Sequence, residues 1–410
     1  MSAPESATVS GARQPGLIQG MIVVIAGFLP IIAIVSMFPA VPAIIAHFHD
    51  DPAAMVKVPA MVSAPGLTIA LLALFAGWLV DRYGRRKLLL VSTLTYGFFG
   101  AAPFFLDDLN AIYASRLLLG VSEAAILTTL NTLIGDYWDE AGRHRWLSIQ
   151  GIAGPFLGSA VIFASGYLTA MRWNAIFLIY TVGFPIFIAM WLFLFEPQSD
   201  ANARRMLGIG EDARTAFPWR NVLGYAAITL FGASLYYVFI INGGIVWQEL
   251  GVKDSGEIGR LSTLPSLFVI VGAVIFWLTG KLGSRFQLAL FLGLIATGLT
   301  LIGIAHDWRW MVAAMAVQQT GAGMAVPTLI ALAQSKLPFE HRGRGMGVWT
   351  ACFFFGQFSS PLLVSLIRQA TGTMQGAFFV AGLLGLVVAA LAFFLFAPRR
   401  TDAAALQAGA

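Results

Sequence analysis

Runs of about 20 apolar residues, broken by short charged or turn-rich stretches, recur along the whole chain, and no other feature restricts its fold so tightly. A run of that length, wound as a helix, crosses the roughly 30 Å hydrocarbon core of a bilayer. Charged residues make up 11% of the chain and hydrophobic ones 58%. A soluble protein is about a quarter charged, so this chain has no means of hiding its apolar surface from water. The spans are expected at 18–46, 59–80, 88–106, 111–137, 146–170 and 174–195, and again at 220–248, 256–280, 286–305, 310–336, 345–367 and 376–397. Between the two sets lies a polar stretch rich in arginine. The reading is an all-α membrane protein of twelve transmembrane helices in two six-helix bundles, 1–195 and 220–410, joined by a cytoplasmic linker at 196–219. The first sixteen residues are polar, and the apolar stretch after them lacks a short core with a small-residue cleavage site, so it is expected to stay as the first span.

The net charge of +5 does not point to nucleic acid here, because the basic residues sit in short loops. With both termini inside, eighteen Lys and Arg fall on the cytoplasmic side, among them Arg82, Arg85, Arg86, Lys87, Arg143, Arg145 and Arg285. Six fall on the other side: Lys57, Arg172, Lys253, Arg260, Arg309 and Arg368. Positive loops stay inside, so the asymmetry supports an even number of spans in an inner membrane with both ends cytoplasmic.

The halves echo each other. Gly77-Trp-Leu-Val-Asp81-Arg82 after the second span returns, degraded, as Gly280-Lys-Leu-Gly-Ser284-Arg285 after the eighth. Arg143-His-Arg145 matches Arg342-Gly-Arg344, and Gly154-Pro155-Phe156 matches Gly356-Gln357-Phe358, at nearly the same offset. Internal repeats of this kind are how many secondary transporters are built.

Three segments carry mechanism. The first, Gly77-Trp-Leu-Val-Asp81-Arg82-Tyr-Gly84-Arg85-Arg86-Lys87, resembles the signature loop between the second and third helices of the major facilitator superfamily. An aspartate beside a glycine turn can pair with nearby arginines and face a helix N-terminus. The resemblance implies a latch that closes the cytoplasmic side, built from Gly77, Asp81, Arg82, Gly84, Arg85 and Arg86, with Asp136 as partner for one arginine. An anchor set only by the positive-inside rule is the alternative.

The second is Arg116-Leu-Leu-Leu-Gly120-Val-Ser-Glu123-Ala in the fourth span, which holds the clear ionisable groups within a helix. Charge there is costly and usually functional. Seven residues put the pair on one helix face about 10 Å apart, too far to touch unless side chains bend or a substrate or water bridges them. Burial favours the neutral acid while a guanidinium favours the carboxylate, a balance suited to taking up and releasing a proton. Arg116 and Gly120 also match the fourth-helix motif of proton-linked facilitators, although Leu119 stands where a polar residue is usual. A buried ion pair that only fixes helix packing is the other reading.

The third, Gly154-Pro155-Phe-Leu-Gly158-Ser159, resembles the fifth-helix motif of proton-coupled drug antiporters, with Ser159 in place of a glycine and Gln150 where another glycine is expected. Proline and small residues make Gly154, Pro155 and Gly158 a candidate hinge, or simply a close packing face. Arg116 to Glu123, followed by Gly135-Asp136-Tyr-Trp, also looks like spinster-type lysolipid carriers and organic-anion symporters.

Candidate cavity residues are Asn131, Tyr237, Gln318 and Gln357, with Tyr236, Asn242, Trp247 and Gln319 behind them. Tyr236 and Tyr237, being adjacent, are not expected to share a face. Asn242-Gly243-Gly244 is expected to loosen the seventh helix near its outer end, as a gate or a simple helix terminus. The five histidines are expected in solvated loops with no metal-ligand spacing, and Cys352 as a small buried hydrophobe. No phosphate-binding loop, dinucleotide fingerprint or nucleophile–base pair is present, so neither a cofactor nor an enzymatic reaction is expected. The expected partners are a small molecule, protons and the lipid bilayer, with no nucleic acid and a working monomer. Export of an amphipathic compound by proton antiport is the favoured reading; proton-linked uptake of an organic anion and lysolipid transport are the alternatives, and a non-transporting receptor is a further one.

Overall fold

The computed structural model describes residues 15–73, 75, 80, 82–197, 217–337 and 341–395. Gly77, Asp81 and nearly all of the expected linker lie outside the described residues.

Where one uninterrupted first span is expected, α1 (17–47) consists of three helical segments, Leu17–Ala26, Leu29–Val35 and Val41–His47. Pro30 and Pro42 stand at the starts of the second and third, where a missing N–H costs least. Breaks in a membrane helix leave carbonyls that need donors. Tyr96 OH donates to the Leu29 carbonyl at 2.8 Å and Tyr180 OH to the Ala33 carbonyl at 2.9 Å. The rest of the first half is α2 (Ala54–Leu72), α3 (Arg85–Ala101), α4 (Leu109–Tyr137), α5 (Glu140–Met171) and α6, a 3-10 stretch Ala175–Val182 running into Gly183–Phe193. Asp108 and Asp139 cap α4 and α5, accepting from the backbone N–H of Ala111 and Gly142.

The second half comprises α7 (Trp219–Glu249), α8 in two pieces (Ser255–Ser266 and Phe268–Leu278), α9 (Ser284–Gly303), α10 (Trp308–Ser335), α11 (Arg342–Thr371) and α12 (Met374–Leu395). Eleven of these twelve spans are long and apolar enough to cross a membrane by composition alone. The other, α10, has 28 residues, ample for the distance; Gln318, Gln319, Thr320 and its glycines, all buried in the bundle, lower its hydropathy. No strand occurs among the described residues.

Within the first half α4 packs on α2 and α3, and α3 on α6; within the second, α9 packs on α10 and α12, and α7 on α11. The halves meet along α5–α8, α2–α11 and α1–α7. Glycine sets these crossings: an added Cβ would stand 2.6 Å from the Ser255 carbonyl at Gly166, 2.5 Å from the Phe38 carbonyl at Gly244 and 2.7 Å from the Phe354 carbonyl at Gly66. Asn242-Gly243-Gly244 therefore does not loosen α7, which runs unbroken to Glu249; its glycines admit Phe38 and Pro42 of α1.

One histidine departs from the solvated-loop expectation: His341 is buried against Phe217. His47 stays exposed at the end of α1, 2.7 Å from Asp107 and stacked on Trp173 at 4.0 Å.

Candidate substrate cavity and proton site

Between the halves lies a cavity of about 660 Å³, within the usual size range of small-molecule sites. Its walls come from α1, α4, α5, α7, α8, α10 and α11, and most are aromatic or aliphatic. Glu123 is the sole Asp, Glu, Lys, Arg or His among the described residues that line it. Gln150, Ser159, Ser266, Tyr236, Tyr237, Gln319 and Gln357 supply the remaining polar groups.

Glu123 is 2% exposed and Arg116 1%. They do not bond to each other. The Arg116 Nη2 donates to the Gly100 and Phe99 carbonyls at 2.7 and 3.2 Å, and its guanidinium lies 4.7 Å over the Tyr180 ring and 5.0 Å over that of Phe177. Aromatic faces and carbonyl oxygens stabilise a cation that has no counter-ion in contact. Arg116 Nε and Nη1 and Glu123 Oε1 have no hydrogen-bond partner. All three belong to residues that line a second, much smaller space of about 10 Å³, shared with Tyr180 and Gln357, which is enough for about one water. Glu123 and Gln357 border both spaces. Gln357 belongs to the second half, yet its side chain packs on Gly66 of α2, where an added Cβ would stand 3.2 Å from it.

The other expected cavity residues divide. Tyr237 lines the cavity, and so does Tyr236: the rings stand edge to face at 4.8 Å, and Phe353 packs against both. Adjacent residues on a helix are about 100° apart, and a cavity this wide takes in both. Gln318 is fully buried away from it, its backbone close against Gly298 of α9, and Gln319 takes its place. Asn131 is exposed and is not among the lining residues. Gly154, Pro155 and Gly158 all line the cavity within a continuous α5; an added Cβ on Gly158 would meet nothing within 4 Å, so that glycine does not serve close packing.

At the turn into α3, Gly84 adopts φ +83°, a conformation that favours glycine. Arg85 Nε lies 2.9 Å from Asp136 Oδ2, joining α3 to α4. Arg86 donates through Nε to the Leu194 carbonyl and through Nη2 to that of Trp191, covering the C-terminus of α6. Glu196, read from sequence as part of the linker, accepts from the backbone N–H of Arg85 and of Arg86, each at 2.7 Å. It caps the positive end of α3. The contacts described for Arg85, Arg86 and Asp136 thus lie within the first half, and Arg82 is exposed.

The family model of the Major Facilitator Superfamily matches residues 23–304 and 227–409. The chain belongs to that superfamily. It is 27% identical over 345 residues to the 3-(3-hydroxy-phenyl)propionate transporter of Escherichia coli strain K12, covering 80% of this chain and 82% of that protein. It is 23% identical over 382 residues to the class C tetracycline resistance protein of Escherichia coli, covering 86% and 91%. Among solved structures, the inward open conformation of the xylose transporter XylE from E. coli superposes with a TM-score of 0.74 at 12% identity, covering 92% of this chain and 96% of that one, a likeness of fold alone. As an integral membrane member of this superfamily, the chain carries a small molecule across a bilayer.

Proposed function

We propose that this facilitator exports an amphipathic, neutral or cationic compound from the cytoplasm in exchange for protons, with Glu123 as the proton site. The observation that carries the reading is the position of Glu123, the one charged residue among the described residues on the wall of a large aromatic cavity, without a partner for Oε1. A carboxyl group there binds a proton or a cation, not both, and that competition is what antiport needs. Arg116 tunes the carboxyl through the small shared space. The positive-inside count supports an orientation with the 82–87 turn and both termini in the cytoplasm, in an inner membrane. On that orientation the glycine crossings at Gly166 and Gly244 close the outer end and the cavity belongs to the cytoplasmic half, the state in which an exporter loads. The halves, 1–195 and 220–410, rock about the cavity in a working monomer, and the cluster of Asp81, Arg82, Arg85, Arg86 and Asp136 latches the cytoplasmic side in the opposite state. A carrier of this kind catalyses no covalent step and needs no cofactor.

Proton-linked uptake of an organic anion is a second reading, favoured by the unpartnered Nε and Nη1 of Arg116 beside Glu123 and by the aromatic acid named for one relative. In that case Arg116 holds a carboxylate.

The test uses everted membrane vesicles with an acid interior, a pH-sensitive dye and a panel of amphipathic compounds and organic anions. A compound that dissipates the gradient with wild type but not with Glu123→Gln establishes antiport. Accumulation of labelled anions in right-side-out vesicles, driven by inward proton flow and abolished by Arg116→Lys, overturns export in favour of uptake.

A further inference from the structure

The middle piece of α1, Leu29–Val35, is set apart from the rest of its helix at both ends, by Gly27 and Phe28 on one side and residues 36–40 on the other. One face of it lines the cavity through Pro30, Ile31, Ile34 and Val35. The other face is held through two of its carbonyls. Tyr96 of α3 donates to Leu29 and Tyr180 of α6 to Ala33, and both tyrosines are fully buried. Breaks on either side let a short helix shift as a rigid piece, because a few residues absorb the change in dihedral angles.

Of the two anchors, Tyr180 also carries the Arg116 guanidinium, 4.7 Å over its ring. A single ring thus touches the ion site with its face and α1 with its hydroxyl. Ala33, Ile34 and Met37 of α1 complete the wall of the small space that Arg116, Glu123 and Tyr180 share. The ionisable groups whose fields reach Glu123 are Arg116 of the same helix, Tyr96, Tyr180 and Tyr237 of α7. The tyrosines are neutral hydroxyls at neutral pH, so Arg116 is the cation that answers a change of charge on Glu123. An ionised Glu123 pulls the guanidinium toward the shared space; a protonated one leaves it to the ring and to the carbonyls of Phe99 and Gly100.

Five residues beyond Ala33 stands Phe38, within the second break. Its carbonyl would lie 2.5 Å from a Cβ added to Gly244 of α7, and its ring lies 5.1 Å from that of Phe239. This is the α1–α7 crossing at the outer end. Elements packed this closely have two arrangements, together or apart, rather than a continuous range.

We infer that Tyr180 is a positioning residue that couples the charge on Glu123 to the outer α1–α7 crossing, with Leu29–Val35 as the moving piece. Arg116 acts on the ring, the hydroxyl acts on the Ala33 carbonyl, and the break at 36–40 passes the shift to Phe38. The inference rests on the proposed role of Glu123 as proton site and adds the path by which its protonation is felt at the outer end.

The test removes one hydroxyl and keeps the ring. Tyr180→Phe leaves a face for Arg116 but no donor for Ala33; Tyr96→Phe removes the donor at Leu29 and is the control for mere capping of a broken helix. A cysteine at Val41, fully buried in the outer piece of α1, reports opening of the crossing in a Cys352→Ser background; Cys352 is the one natural cysteine. Its reaction with an impermeant maleimide from the outer face is compared between Glu123 and Glu123→Gln, the second standing for the protonated acid. With Tyr180 in place the two rates are expected to differ by about fivefold or more; with Tyr180→Phe the difference vanishes, and with Tyr96→Phe it remains. Arg116→Gln, which removes the input and leaves both hydroxyls, must abolish the difference as well. Substrate binding, read by calorimetry, survives in Tyr180→Phe, while protons released per substrate carried fall by about fivefold. A difference that outlasts Tyr180→Phe or Arg116→Gln, or that is lost equally in Tyr96→Phe, overturns the inference, as does a parent whose labelling ignores Glu123→Gln. If substrate-driven proton release survives Glu123→Gln, the proton-site reading itself falls; release lost in Glu123→Gln with labelling unmoved by Tyr180→Phe sinks the coupling path alone.

Discussion

At the scale of single residues, the site is defined by side chains left without partners. A buried acid with a free oxygen is costly unless it works. Replacing Glu123 by Gln keeps its volume and removes its titration, so substrate-driven proton release is expected to fall by more than about tenfold while substrate binding, read by fluorescence quenching or calorimetry, survives without its pH dependence. Arg116 already gives Nη2 to two carbonyls and its face to two rings, so Arg116→Lys is expected to lower thermal stability as well as activity, because an ammonium cannot stack and fork at once. The sequence allowed Arg116 and Glu123 to be found, since charge in an apolar run is conspicuous. It did not distinguish Gln318 from Gln319, one turning to α9 and one to the cavity, because α10 has buried residues all round and its periodicity carries no direction. Glu196 escaped for another reason: its partners are backbone N–H groups more than a hundred residues earlier, and no side-chain motif marks them.

At the scale of helices, glycine decides where the halves touch and where they do not. Gly166→Leu or Gly259→Leu overfills the outer α5–α8 crossing, at a cost of about 1–3 kcal/mol to the state in which that end is shut. A cysteine at Ser262, which is fully buried on the same piece of α8, should then react with an impermeant maleimide from the outer face at least about fivefold faster than in the parent. Unchanged labelling would mean that the crossing is not a gate. At the other end, Glu196→Ala removes the cap of α3 and should cost about 1 kcal/mol, visible as faster amide exchange at Arg85 and Arg86. Helix positions were legible to within a few residues, because length and hydropathy set them. The breaks in α1 and α8 were not. Those in α1 depend on donors such as the hydroxyls of Tyr96 and Tyr180 that arrive from α3 and α6, and a broken helix in lipid is tolerated only once those neighbours are in place; the one in α8 follows Pro265.

At the scale of the whole molecule, the two halves are held by three helix pairs that differ in character: α1–α7 and the outer part of α5–α8 are glycine-packed, while α2–α11 also carries Gln357 across to the edge of the Glu123 site. Rocking the halves must move Gln357 relative to Glu123. Gln357→Leu is therefore expected to let substrate exchange continue while proton release per substrate declines, a split that simple cavity damage would not produce; the measurement is the ratio of dye signal to labelled substrate flux in the same vesicles. The twelve-helix layout could be read from the sequence because bilayer thickness and loop charge are strong, additive signals. The cavity could not, since its shape is the difference between two surfaces and a single chain of letters gives neither.

The turns at Gly84 and Gly283 have almost the same backbone, φ +83° and ψ 155° in one, φ +84° and ψ 159° in the other, each at the start of the third helix of its half. Around the first stands a full set of charges. Matched at these glycines rather than at Gly77 and Gly280, the segments put Gly280 where the first has Asp81 and Ser284 where it has Arg85, so the second turn keeps Arg285 and Lys281 but has no acid beside it. Two copies of one ancestral segment have kept their dihedral angles while their chemistry diverged. The main-chain geometry of the turn is thus kept where the acid is not, and the second copy shows what the turn does without a latch: it reverses the chain and holds its basic residues at the membrane face.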